Sequence, residues 1–323
     1  MKILLLELST SDSCARLPSR YSGAGPTMRR LVENIDNCYI AAEKSCFEND
    51  ANDKCILLHK EDIENIRNNQ PLNPYLFGND YDIVVYADPI LVLNTQKPQI
   101  CWAPGAYEKV HPEIKHLLVH NLKWQKPIVQ NQNTKIHEFV LGIDIPKIFQ
   151  EYQKSNYIFH CGNHYELVHS DMAANWCRNN KIKCLFAGPI DDSFRDKFLN
   201  EIDYEYTFYL NQITEEEKIK ILKKARCCID LVTHEINGPR LSCKQSWAYN
   251  TPVISTNFGI MPEVINRGKD GFIITNEKEF LEAYHQSQYI NQKVCWDTSQ
   301  AWSLDKMVDS FCKVINEVLN QKD

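Results

Sequence analysis

The residues with the most chemistry to offer lie in one stretch, "THEINGPRLSCKQSWAYNTPVISTNFGIMPEV", running from Thr233 to Val264. It reads as loop, helix, strand, glycine turn and helix start, so two successive strand ends present a polar loop and a glycine turn on one edge. The backbone amides of Leu241 and Ser242 point out of a helix N-terminus, where no intrahelical carbonyl meets them and a diphosphate can dock. Arg240 and Lys244 add positive charge to that edge. Glu235, Asn237 and Gly238 stand in the loop, Gln245 in the helix, and Gly259 in the turn. Glu263 has two readings: an acceptor for hydroxyl groups, or a first-turn acid complementing its own helix dipole.

Other constellations carry less. Asp80 and Asp82 in "DYD" have the spacing of a short metal-binding pair, but they precede an apolar strand instead of following one. His116 and His120 are four apart in a run of strand character, and His160 and His164 span a strand end and a loop; neither pair shares a helical face for zinc. The sequence contains no Gly-x-Ser-x-Gly elbow and no Gly-x4-Gly-Lys-Ser/Thr phosphate loop. Its 13 cysteines include no C-x-x-C and sit inside apolar runs, the pattern of reduced, buried thiols in a cytoplasmic protein. Asp88, closing "YDIVVYADP", stands at a strand's carboxyl end, where it is a candidate site acid or else a loop acid capping the next segment.

These residues need elements to position them, and the chain alternates accordingly. Strand-length runs "KILLLEL", "KCILL", "DIVVYA" and "HLLVH" are separated by segments of helical period, among them Pro26 to Cys38. A second series follows: "YIFHCG", "IKCLFAG", "YTFYL", "CCIDLV", "PVIST" and "GFIIT", with Thr214 and Glu217 spaced as a capping box ahead of "KIKILKKAR". Continuous apolar strands alternating with helices mean parallel sheets buried on both faces. The class is α/β, with two Rossmann-like doubly wound domains: 1–143, then 144–302, then a C-terminal amphipathic helix over 303–323 expected to pack back on the first domain. The lysine-rich face of Lys218, Lys220, Lys223 and Lys224 follows three glutamates and reads as a solvated helix with local charge pairing.

With 323 residues and a net charge of −6, the chain has room for two cores and no surface built throughout to neutralise phosphates. A nucleic-acid partner is therefore not favoured. The opening "MKILLLELSTSDSCAR" is too short an apolar run for a signal-peptide core or a membrane span, and reads as a buried first strand.

The segment "NGPRLSCKQSWAYNTPVISTNFGIMPEVINRGKDGFII" resembles the nucleotide-binding segment of the retaining GT-B glycosyltransferases of the family-4 type, also called glycosyl transferases group 1. There a Glu-x7-Glu loop and helix precede a "G-TPV-I-T--GG-PE-I--G--G" pattern. Thr251-Pro252-Val253, Gly259, Pro262-Glu263 and Gly268 through Gly271 agree in spacing, and the C-terminal "W-x-x-x-K-M" extends the likeness. "RYSGAGPTMRRLVENI" resembles that family's glycine-rich loop after the first strand, in which Gly23 and Gly25 permit close backbone approach and Pro26 starts the helix. Departures are equally specific. Counting back from Asn250, which stands where the family has glycine, the two glutamates fall on Asn237 and Gln245, and the arginine after the second domain's first strand falls on Asn163.

The resemblance implies transfer of a sugar from a nucleotide-diphosphate sugar to a glycan or other hydroxyl acceptor, with retention of configuration and no metal or further cofactor. In that reading Asp88, Glu235, Asn237 and Arg240 are catalytic candidates. Gly23, Gly25, Asn163, Gly238, Leu241, Ser242, Lys244, Gln245, Gly259 and Glu263 hold the donor. Gln245 keeps hydrogen-bonding capacity for a ribose diol, Glu235 takes over the sugar contact from Asn237, and Arg240 or Lys244, with His164 as a weaker candidate, replaces the lost arginine charge. Two alternatives remain: a catalytically weakened subunit that binds a nucleotide or glycan, and a transferase acting on a modified nucleic-acid base.

Overall fold

A computed structural model describes residues 1–6, 8, 24–43, 53–72, 77, 80–88, 91–103, 110–119, 133–233 and 240–321. The chain forms two compact units, one of Met1–Gly142 with Leu304–Asp323, the other of Ile143–Ser303.

The first unit is built on a parallel sheet of β1 (Ile3–Leu6), β2 (Cys38–Glu43), β3 (Cys55–Leu58), β4 (Ile83–Tyr86), β5 (Gln99–Trp102), β6 (His116–Val119) and β7 (Lys135–Glu138). Their spatial order is β3-β2-β1-β4-β5-β6-β7. Alternate residues of β1 serve opposite faces: Leu4 and Leu6 enter one apolar cluster, Ile3 and Leu5 the other. Helices α1 (Ala24–Asn34) and α2 (Lys60–Arg67) accompany the first three strands. The C-terminal helix, Leu304–Leu319, supplies Met307, Phe311, Val314, Ile315 and Val318 at helical spacing to the cluster of Ile3 and Leu5, and Ser310 Oγ accepts the Val140 N–H at 3.0 Å.

Two sequence expectations change here. The helical segment expected from Pro26 to Cys38 ends at Asn34, because Asn37 takes a left-handed φ of 47° and Cys38 opens β2. Gly25 is the second residue of α1 and therefore not part of a loop. Asp80 and Asp82 have a structural use: they hold the side chain and backbone N–H of Lys2 ahead of β1, at 2.5 and 2.7 Å.

The second unit runs β8 (Tyr157–Cys161), α3 (Ser170–Asn179), β9 (Lys183–Ala187), α4 (Arg195–Leu199), β10 (Thr207–Tyr209), α5 (Glu215–Lys224), β11 (Cys227–Asp230), α6 (Leu241–Ala248), β12 (Val253–Thr256), α7 (Met261–Val264), β13 (Gly271–Ile274), α8 (Glu277–Ser287) and α9 (Gln292–Ser299). Its strands are parallel in the order β10-β9-β8-β11-β12-β13, so the chain reverses its direction of travel between β8 and β11. That reversal is a topological switch point, and ligands of open α/β sheets dock outside the strand carboxyl ends beside it.

Helices cover both faces. Leu222 of α5 and Cys243 and Trp247 of α6 pack with Phe159, while Ala173 of α3, Phe198 of α4 and Phe280 of α8 pack with Ile158. The capping box at α5 forms as the spacing predicts, with Thr214 Oγ1 accepting the Glu217 N–H and Glu217 Oε2 accepting the Thr214 N–H at 2.8 Å. Lys218 and Lys220 pair with Glu215 and Glu216, as the charge pattern suggests. At the far end of α6, Asn250 has φ 63°, the left-handed conformation that suits glycine or asparagine after a helix. Lys154 Nζ closes that end by donating to Tyr249 O at 3.2 Å and Thr251 Oγ1 at 2.7 Å.

The turn leading into β10 is set by Asp203, whose Oδ1 accepts the N–H groups of Glu205, Tyr206 and Thr207 at 2.8–2.9 Å. Partial burial raises its pKa, but these backbone donors outweigh that and bring it to about 2. The carboxylate therefore stabilises the fold above the ordinary aspartate pKa, and the contribution is lost as pH falls toward 2. In chemical denaturation, Asp203→Asn should be less stable than the wild type at pH 6, with the gap closing by about pH 2. A gap independent of pH would count against this reading of the turn.

Candidate functional site

At the switch point stands an ion pair. Asp230, the last residue of β11 and 3% exposed, receives Arg240 Nη1 on Oδ1 at 2.7 Å and the Cys243 thiol on Oδ2 at 3.2 Å. A buried carboxylate is tolerated only when its lone pairs are met, and removing one member of such a pair costs about 3–5 kcal/mol. Arg240 occupies the N-cap position of α6 without using its side chain as a cap, so the guanidinium is directed back to the sheet. Gly162, just beyond β8, makes room for it: a Cβ at this residue would collide with Arg240 Nη2, and φ is 144°. Gly188, just beyond β9, has φ 131° and would in turn drive a Cβ into the Gly162 carbonyl.

Two histidines lie against this pair, their ring centroids 5.2 Å apart, although their sequence spacing suggested no common face. His160 Nδ1 meets Ile229 O at 2.7 Å, which makes it the donor and leaves Nε2 as a buried acceptor without a partner among the described residues. Burial first, and the Arg240 charge second, bring the His160 pKa down to about 4. His164 stacks on Phe198 at 4.7 Å and, buried next to His160 and Arg240, titrates well below the ordinary histidine range. It is neutral near pH 7, so the expectation that His164 could supply positive charge does not hold.

Along α6, Leu241 and Ser242 occupy the first turn and are partly exposed at the strand carboxyl edge. Lys244 departs from expectation. It is 3% exposed, its Nζ lies 5.9 Å from the Trp302 ring centroid, and burial pulls its pKa to about 7, so it does not present a full charge at the helix N-terminus. Gln245, 8% exposed, donates from Nε2 to Glu215 Oε1 at 2.9 Å, and Lys218 pairs with the other oxygen of the same carboxylate. Around Cys161, the last residue of β8, the charges of Lys218, Glu215 and Arg240 are all felt, although burial is what chiefly pushes this thiol up to about 11.

Asn163 follows Gly162, with Oδ1 buried and unpartnered among the described residues. Gly259 takes φ 56° in the turn after β12, and Glu263 is exposed on α7. The structure thus gathers Asn163, Arg240, Leu241, Ser242 and Gln245 at neighbouring strand and helix ends of the second unit. Asp88 belongs to the first unit, two residues beyond β4. Gly23, Glu235, Asn237 and Gly238 lie outside the described residues. Asp230 and Glu215 were not singled out in the sequence. A charged residue closing the apolar run "CCID" is the signal for the first; the second was hidden within the capping glutamates. Among the described residues no group of three histidine, cysteine or acidic side chains is arranged to hold a metal ion.

Comparison with known proteins agrees with this architecture. Residues 163–287 match the family model of glycosyl transferases group 1. No curated protein sequence matches the chain. Among solved structures, a glycosyltransferase from Rickettsia africae has a TM-score of 0.73 at 13% identity, over 99% of each chain. AviGT4, a glycosyltransferase involved in avilamycin A biosynthesis, has a TM-score of 0.71 at 12% identity, covering 100% of this chain and 99% of its own. HepE of Anabaena in complex with UDP-glucose has a TM-score of 0.67 at 12% identity, covering 98% of this chain and 100% of its own. The chain has the GT-B fold of two Rossmann-like units, and the matches support sugar transfer as its class of activity. No helix among the described residues is long and apolar enough to cross a membrane.

The bond from Gln245 to Glu215 gives a directional prediction. Gln245→Glu, which restores the acid of the resembled pattern, sets two carboxylates against each other where an amide donor stood, so one of them is held above its ordinary pKa. A group whose folded pKa is raised contributes fully below its unfolded value and loses that contribution as pH rises. The variant should melt near the wild-type temperature at pH 4 and several degrees below it at pH 8. Equal melting temperatures at pH 8 would show that position 245 does not depend on Glu215.

Proposed function

We propose that the protein transfers a sugar from a nucleotide-diphosphate sugar to a hydroxyl of a glycan or other acceptor, with retention of anomeric configuration. The observation that carries this reading is the Arg240 guanidinium, fixed by Asp230 at the switch point one residue ahead of the amides of Leu241 and Ser242. Charge develops on the departing diphosphate as the anomeric C–O bond breaks, and pre-oriented donors at that spot stabilise it without reorganising. The acceptor oxygen attaches on the face the diphosphate leaves, and its proton passes to the leaving group. Arg240 and the helix amides meet this charge in place of an essential metal ion, and the donor itself is the only co-substrate. HepE, solved with UDP-glucose, is a structural neighbour that binds such a donor. A cytoplasmic location fits the described cysteines, all of them free thiols.

Thermal unfolding against UDP, GDP, ADP, TDP and CMP sugars, with sugar release followed in the same samples, tests the reading. One base should stabilise the protein by about 2.7 kcal/mol at a hundredfold excess over the dissociation constant. Slow donor hydrolysis that survives EDTA should accompany it. Nucleotide binding without turnover would favour a binding subunit, and no binding at all would remove the reading.

Arg240→Gln should lower kcat about a hundredfold or more, the scale of losing one such donor. It also leaves Asp230 buried and unpaired. The double variant Asp230→Asn/Arg240→Gln should recover stability without recovering turnover, and recovery of both would assign the pair a purely structural role.

A further inference from the structure

The last turn of the C-terminal helix carries Glu317 and no basic residue. An acid there is repelled by the partial negative charge of the helix C-terminus, so its placement calls for a partner outside the helix. That partner is His137 of β7, whose Nδ1 lies 3.6 Å from Glu317 Oε2. His137 is 4% exposed, and its Nε2 faces the Nδ1 of His116 on β6 at 3.1 Å. One chain of titratable groups thus runs from the helix through the edge strand to its neighbour. The backbone fixes it: His137 is paired with Leu118, two residues beyond His116, so both rings stand on the same sheet face. The helix lies antiparallel along β7, with Ser310 at Val140 and Glu317 at His137. Those two spacings match, at about 10.5 Å along the helix and about 10 Å along the strand.

The chain has a proton capacity set by its geometry. A carboxylate favours the tautomer that turns an N–H toward it, so His137 carries its proton on Nδ1, its Nε2 accepts, and His116 Nδ1 donates. One added proton fits at His116 Nε2, because the two facing nitrogens keep their roles. A second does not fit, since it sets two N–H donors against each other at 3.1 Å. Once the helix end lifts, both rings reach water and turn apart, and below the ordinary histidine pKa of about 6.5 they hold two protons. The surrounding charges act in the same direction. Burial first, and then Lys135 on the same face of β7, lower the His137 pKa against the opposing pull of Glu317. Lys135 is also paired in register with His116. A histidine whose pKa is depressed in the docked state contributes fully above its free pKa, and the contribution is lost as pH falls.

We propose that Glu317, His137 and His116 form a proton-sensitive latch, which fastens the end of the C-terminal helix to β7 at neutral pH and releases it in mild acid. Release takes up one proton, so the open fraction rises about tenfold for each pH unit below about 6.5. Upstream, Met307 and Phe311 anchor the helix in the cluster of Ile3 and Leu5, which confines the opening to its last turns. This helix is the segment by which the chain returns from the second unit to the first, so the latch sets how completely that return segment is docked.

Hydrogen exchange of the full chain, expressed as protection relative to unstructured-peptide rates at each pH, tests the latch. In the wild type, protection of the amides from Lys313 to Leu319 should fall about tenfold between pH 6 and pH 5. The last turn of α5, a helix without histidine, should change by less than about twofold over the same interval. His116→Gln removes the facing ring, so that His137 takes up a proton without two donors meeting. It should keep near-wild-type protection at pH 7 and cut the acid-induced fall to about threefold or less. Glu317→Gln should show the lowered protection already at pH 7. The latch is overturned if the wild-type helix end follows α5, if His116→Gln keeps the full acid-induced fall, or if Glu317→Gln is protected like the wild type at pH 7. The wild-type comparison decides even where a variant fails to fold.

Discussion

Taking the Asp230 carboxylate out of water is the constraint from which the second unit's functional edge follows. An unpaired aspartate at 3% exposure would carry a desolvation penalty of several kcal/mol, so Arg240 and Cys243 must both face it. That requirement turns the guanidinium inward from the start of α6 and fixes where the helix begins. It also accounts for glycine at 162 and 188. The guanidinium lies over the backbone of Gly162, and the carbonyl of Gly162 lies against Gly188, so a side chain at either position would displace the layer below the ion pair. The carboxyl ends of β8, β9 and β11 are thus locked together by one charge pair and two missing methyl groups.

The electrostatics of this edge are more economical than its basic residues suggest. His160 and His164 are kept neutral by burial and by Arg240 itself, and burial brings Lys244 to a pKa of about 7. What remains around the end of β8 is two ion pairs, Arg240 with Asp230 and Lys218 with Glu215. Each couples one strongly desolvated partner to a more accessible one or to a buried amide, so orientation is fixed while net charge stays near zero. A preorganised dipole of this kind stabilises developing charge without drawing in competing anions as strongly as a free cation would.

Much of the fold was readable because its strands are buried on both faces. "YIFHC", "KCLFA", "CCID" and "GFII" are continuous apolar runs, and all six strands of the second sheet formed where such runs stand. The misses have local causes. β7, "KIHE", is an edge strand with exposed ends and gives no continuous run, and β2 follows closely on a helix, with just Ile35, Asp36 and the left-handed Asn37 between them. The helix start at Leu241 was legible from the order of polar loop, helix and apolar strand, and the glycine position at Asn250 is explained by its left-handed φ. Side-chain direction was not legible. Lys244 and Arg240 are equally basic in the sequence, but α6 turns one under Trp302 and the other toward Asp230.

The same limit explains why counting along a pattern misjudges the acids. Position 245 carries an amide where the resembled segment has glutamate, and on sequence alone that substitution reads as lost chemistry. In three dimensions the amide meets Glu215 at 2.9 Å, so a carboxylate is still present at the edge, contributed by the preceding helix. A site of this kind is defined by which atoms face the ligand, and helices packed side by side on one face of a sheet can exchange that duty. Beside Asn163, which stands where the resembled pattern has arginine, the guanidinium of Arg240, 77 positions further along the chain, lies directly over Gly162. In both places a charged side chain from elsewhere in the chain stands beside the amide, and each is itself met by an opposite charge, Arg240 by Asp230 and Glu215 by Lys218.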